Sequence, residues 1–162
     1  MQPWQMEKLI HVLEGEWDTE DTNEPNSPTG LRTTAHSLET FCPGPARLSL
    51  VEEFRSKDPG DPLMGLGVFW WEQALHGIHV LWCDNDTPEN SCRLLAGVGT
   101  WQGDDFILTD VHHEMNHQFY RREIWSALTT DSFTQTIFQG ESKDTMRKLL
   151  TIKAHRIARP IP

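Results

Sequence analysis

The sharpest chemical pattern in the sequence is His113-Glu114-Met115-Asn116-His117, which matches the zinc-protease motif H-E-x-x-H. On a helix, histidines at i and i+4 face the same way and both bind zinc, while the glutamate activates a metal-bound water. Here the motif lies between strand-like stretches, and no third ligand is identified. It predicts a polar hairpin tip, an incidental metal site or a metal-dependent hydrolase. The candidate metal ligands are His112, His113 and His117.

Charged and amide side chains interrupt several apolar stretches, and any that face inward must be paired or wet. They are Glu52, Glu72, Arg121, Arg122, Glu123 and Gln135. In a strand, Arg121 and Glu123 share a face with Phe119 and Trp125, so an Arg–Glu pair there could orient a ligand carboxylate or carbonyl. Such pairs are also routine on the outer face of a sheet, which is the position that the sequence favours.

Seven tryptophans in 162 residues indicate either a lined cavity or an aromatic core. Trp70 and Trp71 are neighbours in a predicted strand, so one faces inward and the other needs an outer partner, such as the helix or a second subunit. Small barrels are often just wide enough for one ligand, but aromatic side chains also fill cores, and the sequence does not separate the two. The cavity candidates are Trp70, Trp82, Trp101, Trp125, Arg121 and Glu123.

The remaining chemistry-bearing residues support no further reaction. The three cysteines, Cys42, Cys83 and Cys92, are odd in number and form no C-x-x-C pair, which predicts reduced thiols and a cytoplasmic location. There is no G-x-S-x-G motif and no glycine-rich phosphate loop before a helix. We therefore expect a protein that is not an enzyme.

The elements that position these residues are one helix and about ten strands. Helical spacing of apolar residues predicts a helix over residues 3–13, which Gly15 follows. Beyond it the period is two, with turns such as KDPGDP and NDTPEN between the strands. The predicted strands are 16–22, 31–41, 47–55, 64–72, 78–84, 93–101, 106–111, 119–128, 133–140 and 148–157. A sheet of this size tends to close, because closure removes its edges.

The charge and hydropathy exclude several classes of partner. A net charge of −10 repels phosphate backbones and anionic membranes, so we expect neither nucleic acid nor a membrane as a partner. No stretch approaches 18 consecutive apolar residues, and no secretory signal is visible at the start of the sequence.

The motifs along the chain resemble a calycin barrel. A helix running into Gly15-Glu16-Trp17 is similar to the calycin G-x-W signature. The stretches GLGVFWWEQALHGIHVLWCDN, GVGTWQGDDFILTD and REIWSALTTDSFTQTIFQG resemble strands of a small bacterial calycin-like family of unknown function. The resemblance implies that Trp17 closes the barrel floor against a basic residue of the last strand. Arg156 is the natural candidate, and Arg147 and Lys148 are less well placed.

The same resemblance raises the question of haem, because some calycin-like barrels use a histidine near the C-terminus as its axial ligand. The corresponding residue here is His155. If Arg156 points inward to Trp17, strand alternation turns His155 outward, which opposes a haem ligand. No cofactor is required by the sequence, although zinc or haem would each have a candidate site.

Together these observations predict an all-β, single-domain protein: an up-and-down antiparallel barrel of about ten strands closed at one end by a short helix. The expected divisions are the helix at 1–14, the barrel at 15–158 and a tail at 159–162. The expected function is non-catalytic binding of a small, mostly apolar ligand. A metal-dependent hydrolase or metal-binding protein using HEMNH, and a packed interaction barrel without ligand, are the alternatives. A homodimer is possible on this account.

Overall fold

The computed structural model describes residues 3–25, 30–85, 91–114 and 117–158, with only the backbone described for residues 112–114 and 158. The predicted tail at 159–162, most of the NDTPEN turn and the middle of the NEPNSPTG loop lie outside the described residues.

The chain forms one helix followed by strands, which confirms the predicted all-β class. The helix α1 spans Trp4–Leu13, and a single 3-10 turn spans Pro45–Arg47. The strands are β1 Gly15–Asn23, β2 Thr33–Pro43, β3 Ser49–Ser56, β4 Met64–Glu72, β5 Gly77–Asp84, β6 Cys92–Leu94, β7 Gly99–Gln102, β8 Asp105–Glu114, β9 His117–Ser126, β10 Ser132–Gly140 and β11 Arg147–Ala158. All pairings among them are antiparallel.

Ten of these strands close into a barrel. The ring runs β1-β2-β3-β4-β5-β7-β8-β9-β10-β11 and returns to β1, and β6 pairs with β5 beside β7. A long hairpin joins β8 to β9, whose ladder extends from Phe106 opposite Trp125 to Glu114 opposite His117. Closure pairs each strand on both sides, so the ring has no free edge.

The predicted strand at 93–101 is in fact broken into β6 and β7. Between them Leu95 turns into the core, and its backbone N–H donates to the carbonyl of Val80 at 2.9 Å. The buried carboxylate of Asp110 accepts from the backbone N–H of Ala96 at 2.8 Å and from Arg93 at 2.6 Å. The break is stabilised by an acid from β8, which no local pattern around residue 96 reveals.

Helix α1 covers one end of the barrel with its apolar face. Met6, Leu9, Ile10 and Leu13 are all buried in the core. Gly15, with φ of 130°, then turns the chain into β1 through a backbone conformation that favours glycine. None of the helices in the described ranges has the length and hydropathy to span a bilayer.

A disulfide bond joins Cys83 to Cys92, which corrects the prediction of reduced thiols. The two cysteines face each other across the β5–β6 ladder. The prediction failed because it used the number and spacing of cysteines, whereas the pairing is set by strand register. Cys42 is a free and exposed cysteine.

Candidate binding cavity

The inward side chains of the barrel enclose a cavity of about 270 Å³ in the half of the barrel away from α1. Its walls come from β2, β3, β4, β5 and β8 to β11, with Arg93 of β6 also contributing. The apolar part of the wall includes Phe69, Val80, Leu108, Ile137 and Ile152. No helix residue lines it. The interior is therefore partly hollow rather than filled with side chains throughout.

Four of the six predicted cavity residues line this cavity: Trp82, Trp125, Arg121 and Glu123. Trp70 is on the outer face of β4, where its ring lies 5.2 Å from that of His79. The inward neighbour is Trp71, which packs against the core. The assignment of Trp70 to the cavity is thus wrong, because buried Phe69 fixes the opposite phase for β4.

Trp101 also lies outside the cavity, at the end of the barrel that the helix covers. Its indole N–H donates to the carbonyl of Gln5 at 3.0 Å, and the ammonium group of Lys8 stands 4.0 Å from its ring centroid. Trp101 therefore docks the helix, a role that its strand position alone did not indicate.

Trp82 forms part of the cavity wall because β4 carries a glycine, Gly65, diagonally across the ladder from it. A Cβ atom on Gly65 would stand only 2.6 Å from the indole ring of Trp82. The indole N–H donates to Asp84 at 2.7 Å, and both residues line the cavity.

A carboxylate network lies on the β9–β10 wall. Glu123 accepts from Arg121 Nε at 2.7 Å and from the amide of Gln135 at 2.8 Å. Glu123 and Gln135 are both buried. The outer position that the sequence favoured for Arg121 and Glu123 is therefore wrong. Buried Trp125 shares their face and sets it toward the interior.

Two further carboxyl groups enter the cavity from the opposite wall. Glu39 of β2 is 1 % exposed and Glu52 of β3 is 7 % exposed. Glu52 has room because its cross-strand neighbour is Gly67, where a Cβ atom would lie 3.0 Å from Glu52 Oε2. Three glutamates, together with Asp84, which accepts from Trp82, thus line one cavity.

Burial dominates the ionisation of these acids. Loss of solvent, followed by repulsion from Glu123, raises the pKa of Glu52 to about 8. Desolvation, then the charges of Glu52, Asp21 and Glu123, raises the pKa of Glu39 well above its usual 4.5. At pH 7 Glu52 therefore holds its proton in the unliganded barrel, and the same causes favour the protonated form of Glu39.

Two polar atoms of the cavity residues have no hydrogen-bond partner among the residues described. They are Glu39 Oε2 and the indole nitrogen of Trp125, both on residues no more than 2 % exposed. Buried polar groups are usually satisfied, so a buried orphan that lines a cavity points to a role there. Both residues line the cavity, so an unsatisfied carboxyl oxygen and an unsatisfied N–H donor lie close to the interior space.

Trp17 and Arg156 meet at the closed end. The guanidinium carbon of Arg156 lies 4.0 Å from the Trp17 ring centroid, and the two residues are paired between β1 and β11. Arg156 donates to the helix carbonyls of Val12 and Glu14, and the Trp17 indole donates to that of Leu13 at 2.7 Å. These bonds satisfy carbonyls that a helix C-terminus leaves unpaired.

The described residues of the HEMNH segment lie in two paired strands rather than in a helix. His113 and Glu114 end β8 and His117 begins β9, with Glu114 opposite His117. The i, i+4 geometry of a zinc protease is therefore not formed, which corrects that reading of the motif. The side chains of His112 and His113 lie outside the described part, and His117 is exposed. Nowhere among the described side chains do three His, Cys, Asp or Glu form a metal-binding group.

His155 is exposed, between buried Ala154 and half-buried Arg156. Its side chain lies on the outer face of β11, opposite Asp18 and Ser132 on the neighbouring strands.

Sequence reasoning missed Glu39, the most deeply buried of the three cavity glutamates. The residue lies in a strand whose inward positions include Ser37 and Glu39, so polarity gave no sign of burial. Phe41, two residues on and also buried, carries the signal. An aromatic core residue fixes the phase of β2, and Glu39 then shares its face.

The comparisons with known proteins support this fold. No family model matches the sequence, and no curated protein matches it. Among solved structures, Rv2717c from M. tuberculosis is similar with a TM-score of 0.61 and 13% identity, covering 94% of this chain and 97% of its own. The S-type phycobiliprotein lyase CPES from Guillardia theta has a TM-score of 0.62 and 11% identity, covering 98% and 94%. Both share the ten-strand barrel, consistent with a calycin-like fold.

Proposed function

We propose that this protein is a non-catalytic barrel that binds one small, mostly apolar organic ligand in its interior. The observation that carries the proposal is the cavity of about 270 Å³, whose wall includes Trp82, Trp125 and two buried polar atoms without partners. Ligand sites are typically concave, mainly apolar and fitted with a few convergent polar groups.

The volume supports a small ligand. Sites for drug-sized molecules span roughly 300–1,000 Å³, and this cavity lies just below that range. One structural neighbour is named a phycobiliprotein lyase, which supports a ligand-binding barrel. The volume favours a ligand smaller than a bilin, whose four pyrrole rings would require the walls to move apart.

The two alternatives have less support. A hydrolase built on HEMNH would need the motif in a helix, and its described residues lie in two paired strands. A packed interaction barrel would need a filled interior, whereas a cavity remains beside Phe69 and Trp125.

Tryptophan fluorescence tests the proposal, because Trp82 and Trp125 line the cavity. The probes are octanol, octylamine and nonanoate, with the phenethyl counterparts phenethyl alcohol, phenethylamine and 3-phenylpropanoate. We expect at least one probe to change the emission saturably at a stoichiometry of one per chain. Unchanged emission with all six, together with an unchanged melting temperature, would contradict the proposal.

Cavity-filling variants locate the binding. Ile137→Trp and Leu150→Trp each place a large side chain in the cavity wall, whereas Thr136→Trp adds the same group beside Ile137 on the outer face. Calorimetry should show at least a tenfold loss of probe affinity in whichever filling variant retains the cooperative melt, and no loss in the control. Equal affinity in all three proteins would place the probe outside the barrel.

A further inference from the structure

We propose that the ligand carries a positively charged nitrogen, such as an ammonium or amidinium group, which binds the carboxyl groups of Glu39 and Glu52. This inference rests on the proposed function, since it names the chemical class of the ligand in the same cavity.

The first argument is the convergence of glutamates from three strands on one small space that Asp84 of β5 also lines. Glu39 from β2, Glu52 from β3 and Glu123 from β9 all line the cavity. Glu39 Oε2 is fully enclosed and has no hydrogen-bond partner in the described ranges. It is therefore an unsatisfied buried oxygen on a residue of the cavity wall, and an N–H donor on a ligand that reaches it would satisfy it.

The second argument is the state of the cations along the wall. Arg121 is bound to Glu123 at 2.7 Å, and Arg93 is bound to Asp110 at 2.6 Å. Both arginines that line the described cavity thus already hold a carboxylate. An anionic ligand would therefore face Glu39 and Glu52 without an arginine to bind it. A cationic ligand would instead supply the positively charged partner that these two carboxyl groups do not have in the cavity wall.

The third argument concerns the proton that Glu52 holds at neutral pH and the raised pKa of Glu39 beside it. Their neighbours are Asp21 on β1, the Glu123–Arg121 pair on β9, and each other, so negative charge predominates around them. A bound ammonium group would favour ionisation of one carboxyl group, which then releases its proton to solvent. Affinity for an amine therefore rises with pH from 6 to about 8, as the proton becomes easier to remove.

Calorimetric titration with the six probes separates this inference from the proposed function. At pH 7.5 we expect the better amine to bind at least about tenfold more tightly than the alcohol and the carboxylate with the same apolar body. Buffers of different ionisation enthalpy should show release of close to one proton per amine bound. An alcohol or carboxylate that binds as tightly as the amine would overturn the inference and leave the proposed function standing. No binding of any probe would overturn both.

Matched variants test the named residues. Glu39→Gln and Glu52→Gln should each weaken amine binding at least about tenfold and leave alcohol binding within about twofold. Glu53→Gln is the control, because Glu53 is exposed on the outer face of β3 next to Glu52. Amine affinities unchanged in both cavity variants would overturn the assignment, and cooperative thermal melts show that each variant is folded.

Discussion

At the scale of single residues, Glu52 illustrates how this barrel accommodates a buried acid. Gly67 leaves the space for its carboxyl group, and the surrounding wall removes solvent from it. The pKa of Glu52 rises to about 8 from 4.5 because the charged form loses its hydration and meets the charge of Glu123. Glu52 therefore keeps its proton at neutral pH, and this makes the free energy of unfolding depend on pH.

The direction of this pH dependence follows from the pKa of Glu52 in the unfolded chain, 4.5, and in the folded chain, about 8. Between pH 4.5 and about 8 the folded chain keeps a proton that the unfolded chain has released. The free energy of unfolding therefore falls as the pH rises through this window, and Glu39 acts in the same direction. We predict that Glu52→Gln raises stability at pH 8 by on the order of 2 kcal/mol and flattens the decline.

Urea unfolding at pH 5, 6.5 and 8 checks this prediction, with Glu53→Gln as the exposed control on the same strand. The control should follow the unsubstituted protein at each pH. A Glu52→Gln protein with the full decline would show that Glu52 does not titrate in this window.

Residue-scale prediction from sequence succeeded where a strong neighbour set the phase and failed elsewhere. Trp125 and Glu123 were correctly predicted to share a strand face, but the sequence favoured the outer position for Glu123, and buried Trp125 sets that face inward. Glu39 was overlooked, since a glutamate in a strand reads as exposed unless its neighbour Phe41 is used to fix the phase. Trp70 was assigned to the cavity because its buried neighbour Phe69 was not used to fix the phase of β4.

At the scale of elements, the end of helix α1 is fixed to the barrel by one aromatic and one cationic side chain. The carbonyls of Val12, Leu13 and Glu14 accept from Arg156 and Trp17. Arg156 also donates to the carbonyl of Thr130, so its planar group joins the helix to the loop before β10. A lysine could not reach all these carbonyls at once.

We predict that Arg156→Lys lowers the free energy of unfolding by about 2–3 kcal/mol, since it keeps the charge but loses the forked hydrogen bonds. Chemical unfolding measures the change. Lys153→Arg on the same strand is the exposed control and should be nearly neutral. Stability equal to that of the unsubstituted protein would show that charge near Trp17 is enough.

The disulfide between β5 and β6 is the second element-scale feature. It closes a short segment, with the two cysteines nine positions apart. We predict that replacing Cys83 and Cys92 by alanine lowers the free energy of unfolding by about 2–3 kcal/mol, as the loop-closure entropy of such a segment requires.

Unfolding with and without a thiol reductant gives the same comparison on the unsubstituted protein. Cys42→Ala removes a free, exposed thiol and should leave both curves unchanged. If reduction had no effect on stability, the bond would not constrain the unfolded chain.

The elements were largely predictable because their signals are local. Apolar spacing marked the helix within one residue, and turns marked most strands. The break between β6 and β7 was not predictable, since it depends on Asp110, which lies 14 positions beyond Ala96. The disulfide likewise depends on the register of two strands.

At the scale of the whole molecule, closure of the sheet explains both stability and the cavity. The helix and the Trp17–Arg156 contact fill one end with packed side chains. The other half is lined by acids and tryptophans and is not completely filled. The sequence indicated a barrel but not whether its interior is packed or hollow. That outcome depends on how inward side chains from eight of the ten barrel strands pack together, and the sequence of any one strand does not contain this information.

A high-resolution crystal structure with phenethylamine tests the central claim most directly. The account predicts its phenyl ring beside Phe69 and Trp125, with the nitrogen within about 3 Å of a carboxyl oxygen of Glu39 or Glu52. Amine density on the outer surface, with an interior that holds only water, would contradict it.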